Sequence, residues 1–248
     1  MKRHLTSFLL AATAATLLLT GCSTLYHPQS VDIPLINHQG DLRIDASASL
    51  SAIVFPDAIT FGSTVSYGFN DWLAVQGHIN YGGTDYYSQL APGAYLPLSE
   101  KAVVEGYAGV GFGGSWTDEP IRVGTEHMYS IHSYKGNYTL PFVQGNIGWH
   151  DLTKAHIDLA LGLKAGAFLP SYDYVKYDNN YQPIPEDSYH YSNTSFLFEP
   201  QLMFRIGSEH LKFNLRGGMT WLSDVQKGDS RDFVNDLITL STGITFCF

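Results

Sequence analysis

From Asp41 onward, apolar and polar residues alternate along the chain with a period of two. Leu42, Ile44, Ala46, Ala48, Leu50 and Ala52 are interleaved with Arg43, Asp45, Ser47, Ser49 and Ser51. A β-strand sends successive side chains to opposite faces, so this segment predicts a strand with one apolar and one polar face. Nine further segments carry the same signal, at about 58–69, 72–81, 88–98, 102–115, 139–149, 155–168, 196–207, 211–222 and 237–248. The clearest are Val104/Gly106/Ala108/Val110/Phe112, Ile157/Leu159/Leu161/Leu163/Ala165 and Leu211/Phe213/Leu215. No stretch beyond the amino-terminal region has the 3.6-residue period of an amphipathic helix four turns long.

The connections are unequal. Asn70-Asp71, Ser99-Glu100-Lys101, His150 to Lys154 and Ser208-Glu209-His210 are short, and so is the one around Pro56-Asp57. The segments 116–138, 169–195 and 223–236 are long, and all three fall on the opposite side from the first four. Short turns on one side and long loops on the other mark outer-membrane barrels, whose short turns face the periplasm. The expected fold class is therefore all-β: a closed antiparallel up-and-down transmembrane β-barrel of about 10 strands, within roughly 8–12. An even count returns both chain ends to one side. Pro92 and Pro200 fall inside expected strands, where each removes a ladder donor, so they predict bulges or shifted strand ends.

The start of the chain has a different pattern. Lys2 and Arg3 precede an apolar run from Phe8 to Leu19, which ends in Leu19-Thr20-Gly21-Cys22. This is a secretory signal, too short to remain as a spanning helix. Leu-Thr-Gly-Cys resembles a bacterial lipobox, which implies cleavage before Cys22 and a palmitate-type acyl chain on its thiol. The expected organisation is a lipoprotein signal peptide at 1–21, a lipidated periplasmic linker at 22–40 and the barrel at 41–248. Residues 23–40 hold two prolines and no clear period. The expected location is a Gram-negative outer membrane, with the amino-terminal anchor on the periplasmic side.

Composition narrows the function. Without Lys2 and Arg3, the 14 basic residues become twelve against 23 acidic ones, which argues against nucleic acid as a partner. With Cys22 acylated, Cys247 has no partner, and its inward parity makes it a small packing residue. Low charge with 24 glycines, 16 tyrosines and 14 phenylalanines suits turn-rich β structure.

If the apolar face meets lipid, the other face lines the lumen. It carries Arg43, Lys164, Arg205, Lys212 and Arg216 with Asp45, Glu105, Asp158 and Glu199. Gln76, His78, Gln144, Asn146, Gln201 and Asn214 lie between them. A barrel of about eight strands is filled by side chains, whereas aqueous channels need about sixteen. Nearly balanced charges in a narrow lumen predict a packed ion-pair network, in which Glu105 has a basic partner.

Other motifs have less to offer. Gly109-Val-Gly111-Phe-Gly113-Gly114 looks like a phosphate loop, but no helix follows it, so the glycines are read as making room in the lumen. Loop 116–138 contains His127 and His132, whose spacing is not that of a helical ligand pair; no metal site and no cofactor are expected there. Loop 169–195 holds Tyr172, Tyr174, Tyr177, Tyr181 and His190, either a recognition surface or aromatic packing near the membrane interface.

The mature chain resembles a Bacteroidota-type outer-membrane β-barrel lipoprotein. The lipobox, the linker from Tyr26-His27-Pro28 to Ile33-Pro34-Leu35, and Phe142-Val-Gln144-Gly-Asn146-Ile-Gly148-Trp149 carry the likeness. It implies a location and a fold, because such families mostly have no defined activity. Expected partners are outer-membrane lipids, lipopolysaccharide and, through terminal Phe248, the barrel-assembly machinery; no ligand is implied. The leading expectation is a structural or binding role. The alternatives are a hydrolase of lipid or peptide at the extracellular rim, or a lipid-anchored soluble lipocalin-like protein with an apolar interior.

Overall fold

The computed structural model describes Tyr26 and residues 31–52, 59–117, 120–125, 128–223 and 238–248. Cys22 and His127 lie outside the described residues. The strands are β1 (Leu42–Ala52), β2 (Ile59–Gly68), β3 (Leu73–Gly82), β4 (Asp85–Pro97), β5 (Ala102–Trp116), β6 (Ile121–Thr125), β7 (Met128–Trp149), β8 (Asp158–Tyr177), β9 (Tyr189–Tyr191), β10 (Ser195–Gly207), β11 (Leu211–Met219), β12 (Trp221–Leu222) and β13 (Ile238–Cys247).

Ten of them, β1–β5, β7, β8, β10, β11 and β13, pair with their neighbours in antiparallel order and close into a barrel. The ring closes where β13 meets β1, with Ile44 opposite Phe246. Leu42 and Phe248 exchange both backbone hydrogen bonds at 3.0 Å. Closure leaves the wall without a free edge.

The alternation sorts as the sequence predicts. Phe61, Ile79, Leu90, Val143, Leu161, Leu202, Phe213 and Leu240 all face outward and are exposed. A belt of this kind has no place on a water-soluble surface and marks the lipid-facing band. Trp72, Trp149 and Phe248 are exposed at the short-turn end and Tyr81 and Trp221 at the other, as aromatic girdles require. Within this band the charged residues of the strands point inward. This is the reverse of what a lipocalin-like soluble barrel needs.

Two expectations are corrected. The segments read as loops 116–138 and 169–195 are largely sheet. β7 and β8 remain paired out to Ile131 opposite Tyr177, and β6 and β9 add to their sides. Their alternating side chains are tyrosines rather than aliphatics, and tyrosine favours strands. Nor do the prolines cause bulges. The β4–β5 register is the same on both sides of Pro92, with Leu90 opposite Val110 and Gly93 opposite Tyr107. Pro200 likewise sits in a gap between two in-register stretches that β10 makes with β11 and β12. The ladder skips a bond and keeps its register.

Candidate functional site

Residues 31–37, expected as part of a linker at the periplasmic face, lie inside the barrel. Val31, Ile33, Leu35 and Ile36 are buried, and so are Asp32 and Asn37. The segment joins β1 through a tight reversal at Gly40, whose φ of 90° suits a residue without a Cβ. Gly40 N–H bonds Gly68 O at 2.8 Å, and the Asp41 carboxylate accepts from the N–H groups of Asn37 (2.9 Å) and His38 (3.2 Å).

An extended strand placed in a lumen needs partners for its backbone groups. The wall supplies them. Arg205 Nη2 donates to Ile33 O at 2.7 Å and Nη1 to Pro34 O at 3.3 Å. Gln144 Nε2 donates to Asp32 O at 2.6 Å. Ile36 N–H donates to Glu105 Oε1 at 2.8 Å. Three inward glycines leave space for the apolar side chains. A Cβ on Gly162 would lie 2.8 Å from Ile33 Cδ1, one on Gly148 2.5 Å from Leu35 Cδ2, and one on Gly68 2.9 Å from Ile36 Cγ2.

The inward charged residues are buried or half-buried and bonded, some to opposite charges and others to neutral groups, together with one, Asp32, that the strand pattern omits. Asp32 Oδ1 bonds Arg216 Nη1 at 3.0 Å, and its Oδ2 lies 2.9 Å from His78 Nδ1. Arg216 also bonds Asp45, which accepts from Asn214 (2.7 Å) and Thr245 (2.6 Å). Lys212 Nζ bonds Asp158 at 2.7 Å and, at the short-turn rim, Asp151 at 3.0 Å. Lys164 Nζ donates to Gln89 Oε1 (2.9 Å) and Tyr87 OH (3.0 Å) and sits 4.3 Å from the centre of the Phe142 ring. Glu199 accepts from Thr220 Oγ1 and from Tyr26 OH, each at 2.9 Å. Arg43 lies nearer the rim, paired with Asp41 at 3.3 Å.

Glu105 departs from expectation. It is inward and buried, but its carboxylate is held by neutral donors: Ile36 N–H, Asn146 Nδ2 at 2.9 Å and Tyr107 OH at 3.2 Å. The inward glycines of β5 behave as read. Gly111 and Gly113 lie under the rings of Tyr87 and Tyr138, where any Cβ would collide. Near Asp32, Ile33 and Arg216 the lumen keeps a void of about 10 Å³, on the scale of a single water.

The outer extension separates the other candidates. Tyr172 and Tyr174 are buried on its inner face, and His132 is buried and stacked on Tyr174 with ring centres 5.2 Å apart. Tyr177 is half-buried, and Ser133 Oγ lies 3.2 Å from its hydroxyl. Tyr181 is exposed at the tip of the β8–β9 connection. His190 faces outward, with Nδ1 2.8 Å from Asp173 Oδ1 and Nε2 3.5 Å from Ser171 Oγ. Ser171 lies two positions beyond Leu169, where the exposed apolar row of β8 ends, so the trio sits just past the apolar belt. Among the described residues no group of three or more metal-ligating side chains is positioned to hold an ion.

Asp32 and Tyr26 are the functional residues that strand parity cannot find.

With ten phased strands, an apolar belt and aromatic girdles, the fold is that of outer-membrane β-barrels. The outer membrane protease OmpT from Escherichia coli has a similar structure, with a TM-score of 0.57 and 10% identity over 89% of this chain and 99% of that one. A KdgM porin aligns with a TM-score of 0.36 and 8% identity over 83% of this chain and 99% of that one. No protein-family model matches the chain, and no curated protein matches its sequence.

Proposed function

We propose that this protein is a bacterial outer-membrane lipoprotein of Bacteroidota type. Its barrel is sealed by its own amino-terminal segment, and its role is to hold the sheet extension of β6–β9 above the membrane for binding. The observation that carries the reading is the occupied lumen: Asp32, Ile33 and Ile36 are bonded to the wall through Arg216, Arg205 and Glu105. A solute path through the barrel would have to break these contacts. The lipobox at Leu19–Cys22 supports acylation, and Phe248 at the closing seam supports handling by the barrel-assembly machinery. Lys135, Asn137, Ser171 and Asp173 lie exposed on the outward face of β7 and β8, as contact with lipopolysaccharide headgroups would need. Single-barrel recordings in planar bilayers test the seal. The intact protein should show no steady conductance, and stable open channels would overturn the reading.

One observation favours a second reading, an outer-membrane hydrolase of lipid esters. Ser171, His190 and Asp173 have the order of nucleophile, base and acid. Against it, the Asp173 side chain is 79% exposed, so water competes for the bond that should orient the imidazole. Release of fatty acid from phospholipid vesicles, abolished in Ser171→Ala and in His190→Ala, would establish this activity. Equal release by wild type and Ser171→Ala would remove it.

A further inference from the structure

The amino-terminal segment does more than fill space, because its contacts climb the barrel in order. Ile36 is held by Glu105 and packs at Gly68, both near the short-turn ends of their strands. Ile33 and Pro34 meet Arg205, two residues from the end of β10. Asp32 meets Arg216 and His78, midway along β11 and β3. Tyr26 reaches highest. Its ring packs against Tyr138 at 5.5 Å and Phe168 at 5.4 Å, while its hydroxyl points down to Glu199, whose register partner on β8 is Lys164, four positions below Phe168.

We infer that the chain threads its own barrel from the short-turn mouth to the long-hairpin mouth, so that Cys22 carries its lipid at the extracellular rim. This rests on the lipoprotein reading above and reverses the side expected from sequence. The argument is one of reach. Phe168 lies ten positions above the start of β8 at Asp158, about 25 Å along the membrane normal for a strand tilted about 40°. Cys22 is four residues from Tyr26, and four fully extended residues span about 14 Å at most. With Tyr26 seated, a thiol at Cys22 cannot return to the periplasmic leaflet. The lumen beneath is occupied by residues 31–37. Acyl chains have to lie in hydrocarbon, and the outer leaflet is the one within reach.

Thr24→Cys, in a Cys247→Ala background, tests the side. Whole cells are treated with a membrane-impermeant biotin maleimide, the background chain without Thr24→Cys being the blank and a Ser99→Cys variant the periplasmic control. Folding is checked by heat-modified migration on gels. The expected result is Thr24→Cys labelled in intact cells to the same extent as in permeabilised cells, with Ser99→Cys labelled only after permeabilisation. Labelling of Thr24→Cys only after permeabilisation, or in neither case, overturns the threading. Incorporation of labelled palmitate, lost in Cys22→Ala, tests the lipid separately. Its absence would remove the lipoprotein reading while the maleimide result still reports which mouth the chain leaves.

Discussion

Arg216 Nη1 donates to Asp32 Oδ1 at 3.0 Å, joining β11 to the amino-terminal segment across 184 positions. Both side chains are buried, and Asp32 is also 2.9 Å from His78 Nδ1. Removing one partner of a buried pair leaves the other charge uncompensated, which costs about 3–5 kcal/mol. Asp32→Ala should therefore lower the temperature at which the barrel loses its heat-resistant gel mobility. Conservation of that temperature would mean that Arg216 is fully served by Asp45.

The glycines under the segment offer a test through shape alone. Gly162 and Gly148 give up side-chain volume to Ile33 and Leu35. A Phe at position 162 would need the place of Ile33, and a Leu at position 148 that of Leu35. Overpacking of this kind costs about 1–3 kcal/mol, and here the segment can relieve it by leaving. Gly162→Phe should fold as a barrel and yet admit small ions in planar bilayers, where the wild type does not. The same substitution at Gly145, whose Cβ would meet no atom within 4 Å, is the control and should leave the barrel closed.

The wall was legible because its period of two runs along each strand and its outward face is apolar. Both signals fade above the membrane. There the inward residues become Tyr134, Tyr172 and Tyr174, of which the last two read from sequence as part of a loop, and all three belong to the packed core of a sheet. The segment inside the lumen was harder to read. It forms no ladder with the wall, so Val31-Asp32-Ile33-Pro34-Leu35-Ile36 has no reason to alternate, and its partners are set by three-dimensional fit to Arg205, Glu105 and Gly162. The Ser171–His190–Asp173 trio could not be seen either, because His190 is brought to Asp173 by a pairing of β8 with three residues of β9.

Glu105 separates charge from hydrogen bonding in the lumen. Its partners are the Ile36 N–H, the Asn146 amide and the Tyr107 hydroxyl. Glu105→Gln keeps an acceptor for Ile36 and Tyr107 but turns an amide N–H toward the Asn146 donor, whose own oxygen is held by Gln144 Nε2 at 3.1 Å, so it should cost about one hydrogen bond, roughly 1 kcal/mol. Glu105→Ala leaves buried donors unserved, at a cost of about 1–3 kcal/mol for each group that finds no water. A large loss in both variants would mean that the negative charge matters in its own right, as a distant counterpart to the lumen cations.

At the short-turn rim, Asp151 links the β7–β8 turn to β11. Its carboxylate lies 3.0 Å from Lys212 Nζ and 2.8 Å from His156 Nδ1. Partial burial by itself would raise its pKa. The hydrogen bonds from Lys212 and His156, together with the Lys212 charge, outweigh that and hold the carboxyl well below the ordinary range. A carboxyl that binds its proton less readily when folded stabilises the fold fully above its unfolded value, about 3.9. That contribution shrinks as pH falls from there toward the lower folded value. Asp151→Asn should thus be less stable than wild type at pH 7 in detergent unfolding experiments, and the gap should narrow steadily below pH ~4. The carboxylate is partly open to solvent, so added salt should narrow the gap at pH 7 as well. A gap that stayed constant from pH 7 to pH 3 would show that Asp151 acts through the shape of the turn, where its φ is 50°, and not through its charge.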